Sequence, residues 1–489
     1  MMKMVRISVL TMFVISFFHI SSALADSSGD MMGMLESLKQ QLSKMQSTID
    51  AQNARIQQLE SRRAPEISVP SSTPSEPVKM TDEDFQKSLK KNIGDAVPWL
   101  KGATYSGGLI LRYDALDFSH RKSDAGSVTG ANDRNRNRFL FDLWWGFEKD
   151  YGDDWKVGFD LSTGTPTDPT SGYAVEGNPG YFTFKTISVD KAYANYTPSG
   201  LKDIGPIKSV TFGGGKFSNP FSRYATTIIW FPAVTPEGAY EKINLQLLGE
   251  EKNKLNFYGT LGQLVLNENA GVNQDTNLFA YQGALTWSTN NFNTEKPVDL
   301  TAAVSYYDYP GWSQTITSNT VGVSLLKTNT ILADNFRVLD IYPEVIFDVN
   351  KTTFTLFYDY AKNVGLTSSS EDPAQSLGND IHDQDVAWGL GGRIGNPKKK
   401  GDWQLAYSYY NIGANAVVAA FDDRNFGGPA GVGLTNRKGH RFGLIYKLTD
   451  NVDVAWTGYL VRPLDPTTIV ANSTNETSFR SQLDLKYKF

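Results

Sequence analysis

From about residue 104 to the end of the chain, hydrophobic and polar positions alternate with a period of two. Leu109, Leu111 and Tyr113 alternate with Ile110, Arg112 and Asp114, and Phe139, Phe141, Leu143, Trp145 and Phe147 with Leu140, Asp142, Trp144, Gly146 and Glu148. The last segment puts Phe479, Ser481, Leu483, Leu485, Tyr487 and Phe489 on one face and Arg480, Gln482, Asp484, Lys486 and Lys488 on the other. Successive strand residues point to opposite faces, so each segment has an apolar and a polar side. Sixteen such strands are predicted: 104–118, 137–149, 154–163, 187–197, 208–216, 235–248, 254–266, 278–289, 298–308, 335–349, 352–361, 385–395, 402–411, 439–448, 452–461 and 478–489. Short connections such as Asn350-Lys351 and Thr449-Asp450-Asn451 mostly alternate with long ones, including 119–136, 164–186, 217–234, 309–334, 362–384 and 412–438. An even strand number with turns on one rim and long loops on the other predicts an all-β, sixteen-stranded antiparallel transmembrane barrel over 101–489, apolar toward lipid and polar toward a wet lumen. Val321 to Leu326 has strand character too, so fourteen or eighteen strands are the alternatives.

The N-terminal third follows other periods. Lys3 and Arg6 precede an apolar run, Ile7 to Ile20, and Ala23-Leu24-Ala25 fits a cleavage site before Asp26; residues 1–25 are predicted to be a signal peptide, with an N-terminal anchor helix as the alternative. Within 26–62 a heptad runs through Leu35, Leu42, Ile49 and Ile56 at one position and Leu38, Met45, Gln52 and Leu59 at the other. Four heptads argue for an α-helical coiled coil and hence an oligomer, Gln52 being a polar core residue able to set register. A lone amphipathic helix on another surface is the bland reading. Pro65, Pro70, Pro74 and Pro77 make 63–100 an extended linker, with room for a short helix before Pro98-Trp99.

Composition narrows the function classes. After residue 25 no stretch of ~18 apolar residues occurs, which argues against a helical span and leaves a barrel untouched. The absence of Cys excludes disulfides, thiolate metal sites and a Cys nucleophile. The chain is acidic by five charges, or seven once Lys3 and Arg6 leave with the signal, which speaks against a nucleic-acid partner. His120, His382 and His440 fall in separate predicted loops or strand ends, and no phosphate-binding or dinucleotide motif follows a βαβ pattern. No enzyme, metal or cofactor is therefore expected. Asp422-Asp423 is read as a solvated loop rather than a calcium site, and Lys398-Lys399-Lys400 as a solvated turn.

The ending on Phe489, with Tyr487 two residues before it, resembles Gram-negative outer-membrane barrels, in which such an ending is read by the barrel-assembly machinery. Gly214-Gly215-Lys216-Phe217-Ser218-Asn219-Pro220-Phe221, Thr235-Pro236-Glu237-Gly238, Phe421-Asp422-Asp423-Arg424-Asn425-Phe426-Gly427-Gly428 and Thr435-Asn436-Arg437-Lys438-Gly439-His440 make the likeness more specific. The chain resembles the bacterial porins with an N-terminal coiled coil, related to the phosphate-selective porins. The resemblance implies an outer-membrane pore for passive diffusion of ions and small hydrophilic solutes, a trimer, and a periplasmic coiled coil. A tethering barrel with little conductance, held to the cell wall through 31–62, is the second reading; planar-bilayer recording separates the two.

The resemblance also implies that 217–234, the third long loop, folds into the barrel and narrows it. Phe217, Phe221, Tyr224, Ile228, Ile229, Trp230 and Phe231 are too apolar for a solvated loop, although a subunit contact would hide them equally well. Arg134, Arg136 and Arg138 share the face opposite Phe139 and Phe141. Together with Lys216 and Arg223 they are the candidates for an anion bias, the alternative being charged loop bases without a selectivity role.

Overall fold

The computed structural model describes residues 102–119, 136–164, 185–221, 225–250, 253–267, 275–290, 297–311, 329, 336–366, 384–427, 435–464 and 477–489. The signal, heptad and linker segments, 1–100, lie outside the described residues, as do 321–326.

Sixteen strands close into an antiparallel barrel in which every strand pairs with its sequence neighbours and β1 with β16. They are β1 (Ala103–Ser119), β2 (Arg136–Asp150), β3 (Trp155–Ser162), β4 (Ser188–Tyr196), β5 (Ile207–Lys216), β6 (Glu237–Glu250), β7 (Asn253–Asn267) and β8 (Thr276–Thr289), then β9 (Val298–Tyr309), β10 (Phe336–Val349), β11 (Thr352–Asn363), β12 (Val386–Ile394), β13 (Trp403–Ile412), β14 (Arg437–Thr449), β15 (Val452–Pro463) and β16 (Thr477–Lys488). Each predicted segment coincides with one of them. β6 starts two residues later than predicted, because Pro236 closes the preceding loop by accepting the Phe217 N–H at 3.0 Å.

The period-two pattern sorts the faces. Phe479, Leu483, Leu485 and Tyr487 are 42–50% exposed and point outward, whereas Ser478, Arg480, Gln482 and Asp484 on the alternate positions are at most 2% exposed. Tyr105, Trp145, Trp155, Trp287, Tyr358, Trp403, Tyr407 and Tyr446 extend this outer apolar face around the barrel. Lipid solvates such a surface, and closure leaves no strand edge unpaired in a medium that cannot hydrogen-bond.

The short turns gather on one rim. Asn350 and Lys351 both have positive φ, 48° and 66°, which is the two-residue type I′ hairpin that matches strand twist. In the β12–β13 turn the Asp402 carboxylate accepts the N–H groups of Lys398 and Lys399, and all three lysines of 398–400 are exposed as the sequence suggested.

The seam closes at the same rim. Phe489 and Gly107 exchange two backbone hydrogen bonds, at 3.1 and 3.0 Å, so the last residue is part of the ladder. Its ring lies over Gly107, where an added Cβ would meet it at 2.5 Å. Gly107→Val is therefore expected to impede closure. The check is heat-modifiable migration of refolded protein, with a reduced folded fraction expected and wild-type yield contradicting the role given to Gly107.

Candidate functional site

The loop between β5 and β6 enters the barrel. Phe217, Phe221, Ala225, Ile228, Ile229, Trp230 and Val234 are all at most 5% exposed. They pack on inner-face residues: Phe217 edge-on to Tyr240 at 4.7 Å, Phe221 to Tyr307 at 5.9 Å, Trp230 to Tyr307 at 6.1 Å. Tyr307 lies inward by register, because its neighbour Val304 shares the outer face with Gly283 and is 51% exposed. The apolar cluster thus lies inside the barrel against the inner wall, which accounts for its composition without a subunit contact.

A second loop meets it there. Residues 413–427, between β13 and β14, are buried throughout. Asp422 and Asp423, read from sequence as solvated, are 0% and 2% exposed, which corrects that expectation. The reason is docking: Phe421 stacks on Trp230 at 5.1 Å with 15° between planes, and its carbonyl accepts the Phe231 N–H at 2.6 Å.

Burying a loop strands backbone polar groups unless side chains meet them. Here amides supply the partners. Asn329 donates to the carbonyls of Ala414 and Val417, both at 2.9 Å, and accepts the Ala419 N–H. Asn363 donates to the Asn415 carbonyl, and Gln384 accepts the Ala414 N–H through its side chain and the Asn415 N–H through its backbone. Gly413 is required at the entry, since a Cβ there would clash with the backbone of Gln384. At the far end Asn425 accepts from Gln482 of β16 at 3.1 Å.

The inner wall carries opposite charges on adjoining arcs. β9, β10 and β11 present Asp299, Asp340, Glu344, Asp348 and Asp359 inward, while their cations Arg337 and Lys362 fall on outward positions. β12, β14, β16 and β1 present Arg393, Arg437, Arg441, Lys447, Arg480, Lys486 and Arg112 inward. Within this basic arc Arg112 clasps Asp484 through two bonds of 2.6 and 2.7 Å, and Arg480 clasps Asp114 at 2.7 and 3.0 Å. A cavity of about 260 Å³ against the same wall is lined by Arg393, Arg441, Lys486, Gln404, Ser408 and Thr457, with Ala225 of the first loop above it.

The residues singled out from sequence are distributed as follows. Arg136 and Arg138 do lie on the inner face, and Arg138 is buried with its Nε 2.9 Å from Asp114. Lys216 stands at the base of the first loop, bonded to the Thr235 carbonyl at 2.8 Å and paired with Glu237 at 3.1 Å. Arg134 and Arg223 lie outside the described residues. Sequence reasoning missed the second loop and Arg393, Arg441 and Lys486. One signal for it was present: the loop-side ends of β8–β10 put Leu278, Ala280, Tyr307, Tyr309, Phe336 and Val338 on the inner face, more apolar surface than a water-filled wall needs.

A model of the putative porin family matches residues 112–330 and 313–461, and the chain belongs to that family. It is an outer-membrane channel of the porin type. No curated protein matches the chain. Among solved structures, OprB of Pseudomonas putida is 10% identical with a TM-score of 0.47, over 86% of this chain and 100% of its own. DcaP of Acinetobacter baumannii is 14% identical with a TM-score of 0.40, over 79% and 97%. The anion-selective porin from Comamonas acidovorans is 12% identical with a TM-score of 0.42, over 79% and 99%.

Two outcomes follow from the loop contact. Phe421→Ala or Trp230→Ala removes a buried ring and should cost about 3–5 kcal/mol, read as a lower unfolding midpoint in urea together with noisier single-channel current. An unchanged midpoint and a quiet channel would contradict the contact. The second outcome concerns Asp422, whose carboxyl is pushed well above the ordinary range by burial and then by the neighbouring Asp423. Its second oxygen has no partner among the described residues, which suits a protonated acid. Because the folded value is raised, stability is full below the unfolded value of about 3.9 and declines as pH rises toward the folded one. Asp422→Asn should remove the decline that begins as pH rises above about 3.9; an unaltered profile would contradict the assignment.

Proposed function

We propose that the two inward loops together form the constriction of this porin, and that solutes pass between them and the barrel wall. The observation that carries this is the Trp230–Phe421 stack inside the lumen, backed by the Phe231–Phe421 backbone bond. A loop seated on the wall alone would narrow half the bore; two loops touching divide it.

The pore favours anions in this reading. Charged side chains at a narrow place set the local field. Arg393, Arg441 and Lys486 line open space, Lys486 with Asp484 at 3.5 Å, whereas Arg138 and Lys216 are held by Asp114 and Glu237 away from that cavity. Arg134, Arg136 and Arg223 are included as contributors to the bias on their charge alone. The heptad over 31–62 joins the subunits as a periplasmic coiled coil, and the assembly is a homotrimer embedded in outer-membrane lipid. Phe489 and Tyr487, both outward and exposed, serve the barrel-assembly machinery.

The test is reversal potential in a salt gradient across a planar bilayer. Arg441→Gln with Lys486→Gln should shift it toward cations, and by more than Lys216→Gln does. Equal shifts, or none, would remove these residues from the selectivity of the pore.

A further inference from the structure

The outer face at the long-loop rim holds a row of polar residues that the channel does not use. In register across three strands stand Asn411 of β13, Lys438 of β14 and Arg462 of β15. All three point away from the lumen. Arg437 beside Lys438 is 1% exposed and inward, and Val461 beside Arg462 is 1% exposed and inward, so their neighbours take the outer side. The next row below is Tyr409, His440 and Leu460, where His440 Nδ1 meets the Tyr407 hydroxyl at 2.9 Å and its ring stacks on Phe442.

Two like charges directly opposite on neighbouring strands repel. Two other outward cations near this rim each meet an acid. Arg337 faces Asp308 across β10 and β9 at 3.3 Å, and Lys362 meets Asp385 at 3.4 Å. Lys438 and Arg462 have no carboxylate in salt-bridge contact among the described residues; Lys438 reaches only the Leu464 carbonyl, at 3.4 Å. The outward positions of β13–β16 otherwise carry aromatic, aliphatic and small residues, with no acid. The row stands one residue, roughly 3 Å, inside the loop end of β14, which is headgroup depth for a barrel that exposes its long loops to the outside.

We propose that Lys438 and Arg462 form a site for the phosphate of an anionic lipid headgroup in the outer leaflet. The phosphate bridges the two cations and cancels their repulsion, Arg462 offering a planar fork of donors and Lys438 a point charge. Asn411 supplies a further amide in the same row, and the Tyr407–His440–Phe442 surface below accepts the start of the acyl chains. This site rests on the outer-membrane orientation read from the loops, and is separate from the pore.

The test uses the full-length protein in detergent and native mass spectrometry during titration with phosphatidic acid, phosphatidylcholine or inorganic phosphate. The unaltered protein should retain phosphatidic acid roughly ten- to thirty-fold more tightly than Lys438→Gln/Arg462→Gln, on the basis of about one kcal/mol per cation near an anionic headgroup. Lys438→Arg should keep the affinity, and Lys362→Gln, at the paired site, should leave it unchanged. Equal retention by the double variant would overturn the site. Inorganic phosphate competing as well as the lipid would also overturn it, by showing a free-anion site. Heat-modifiable migration confirms that the double variant is folded. A failure of bilayer conductance in every form would count against the pore and leave the lipid result standing.

Discussion

The arrangement depends on a polar constraint: backbone carried into the barrel must find hydrogen-bond partners there. The loop after β13 meets it with three side-chain amides: Asn363 at the end of β11, Gln384 just before the neighbouring β12, and Asn329 from the β9–β10 connection. Once those bonds are made, an apolar stretch from Ala416 to Ala420 can lie buried, and Phe421 is delivered to Trp230. The first loop needs fewer such bonds because Pro220, Pro232 and Pro236 carry no N–H to satisfy, and they limit the chain entropy lost on docking. Each loop then supplies apolar surface the other covers.

The charged wall follows from the same geometry. Loops anchored on the apolar loop-side ends of β8–β13 leave the polar lower halves of the strands to water. In the acidic arc of β9–β11 and the basic arc around β12, β14, β16 and β1, Asp340, Glu344, Asp359, Arg437 and Arg480 are buried, and Arg393, Arg441 and Lys486 line the cavity. Ion pairs such as Arg112–Asp484 and Arg480–Asp114 are nearly dry, with exposures of 10% and 2% and of 1% and 1%. Burial of that kind costs solvation, which the bidentate geometry and the added bond from Gln482 to Asp114 offset. These pairs stiffen the wall next to the seam and hold the second loop's far end through Asn425.

The barrel was legible in the sequence because lipid on one side and water on the other impose a period of two on every strand, and short turns carry their own chemistry in pairs such as Asn350-Lys351. The first loop was legible through its aromatic density. The second was not, for a physical reason: Ala414, Ala416, Val417, Val418, Ala419 and Ala420 are small, and two aspartates follow, so local composition suggests a solvated loop. What buries it is supplied from far away, by Asn329, 85 residues before Ala414, and by Phe231. Pairings of cations such as Arg138 with Asp114, 24 residues apart, were equally invisible, since parity assigns a face and not a partner.

The central claim is that two loops, not one, limit the bore. Single-channel conductance in planar bilayers tests it most directly, comparing the intact protein with forms lacking 222–231, lacking 416–426, or lacking both. The account predicts that either deletion raises conductance and that the double deletion raises it further. Conductance unchanged by loss of 416–426 would contradict it.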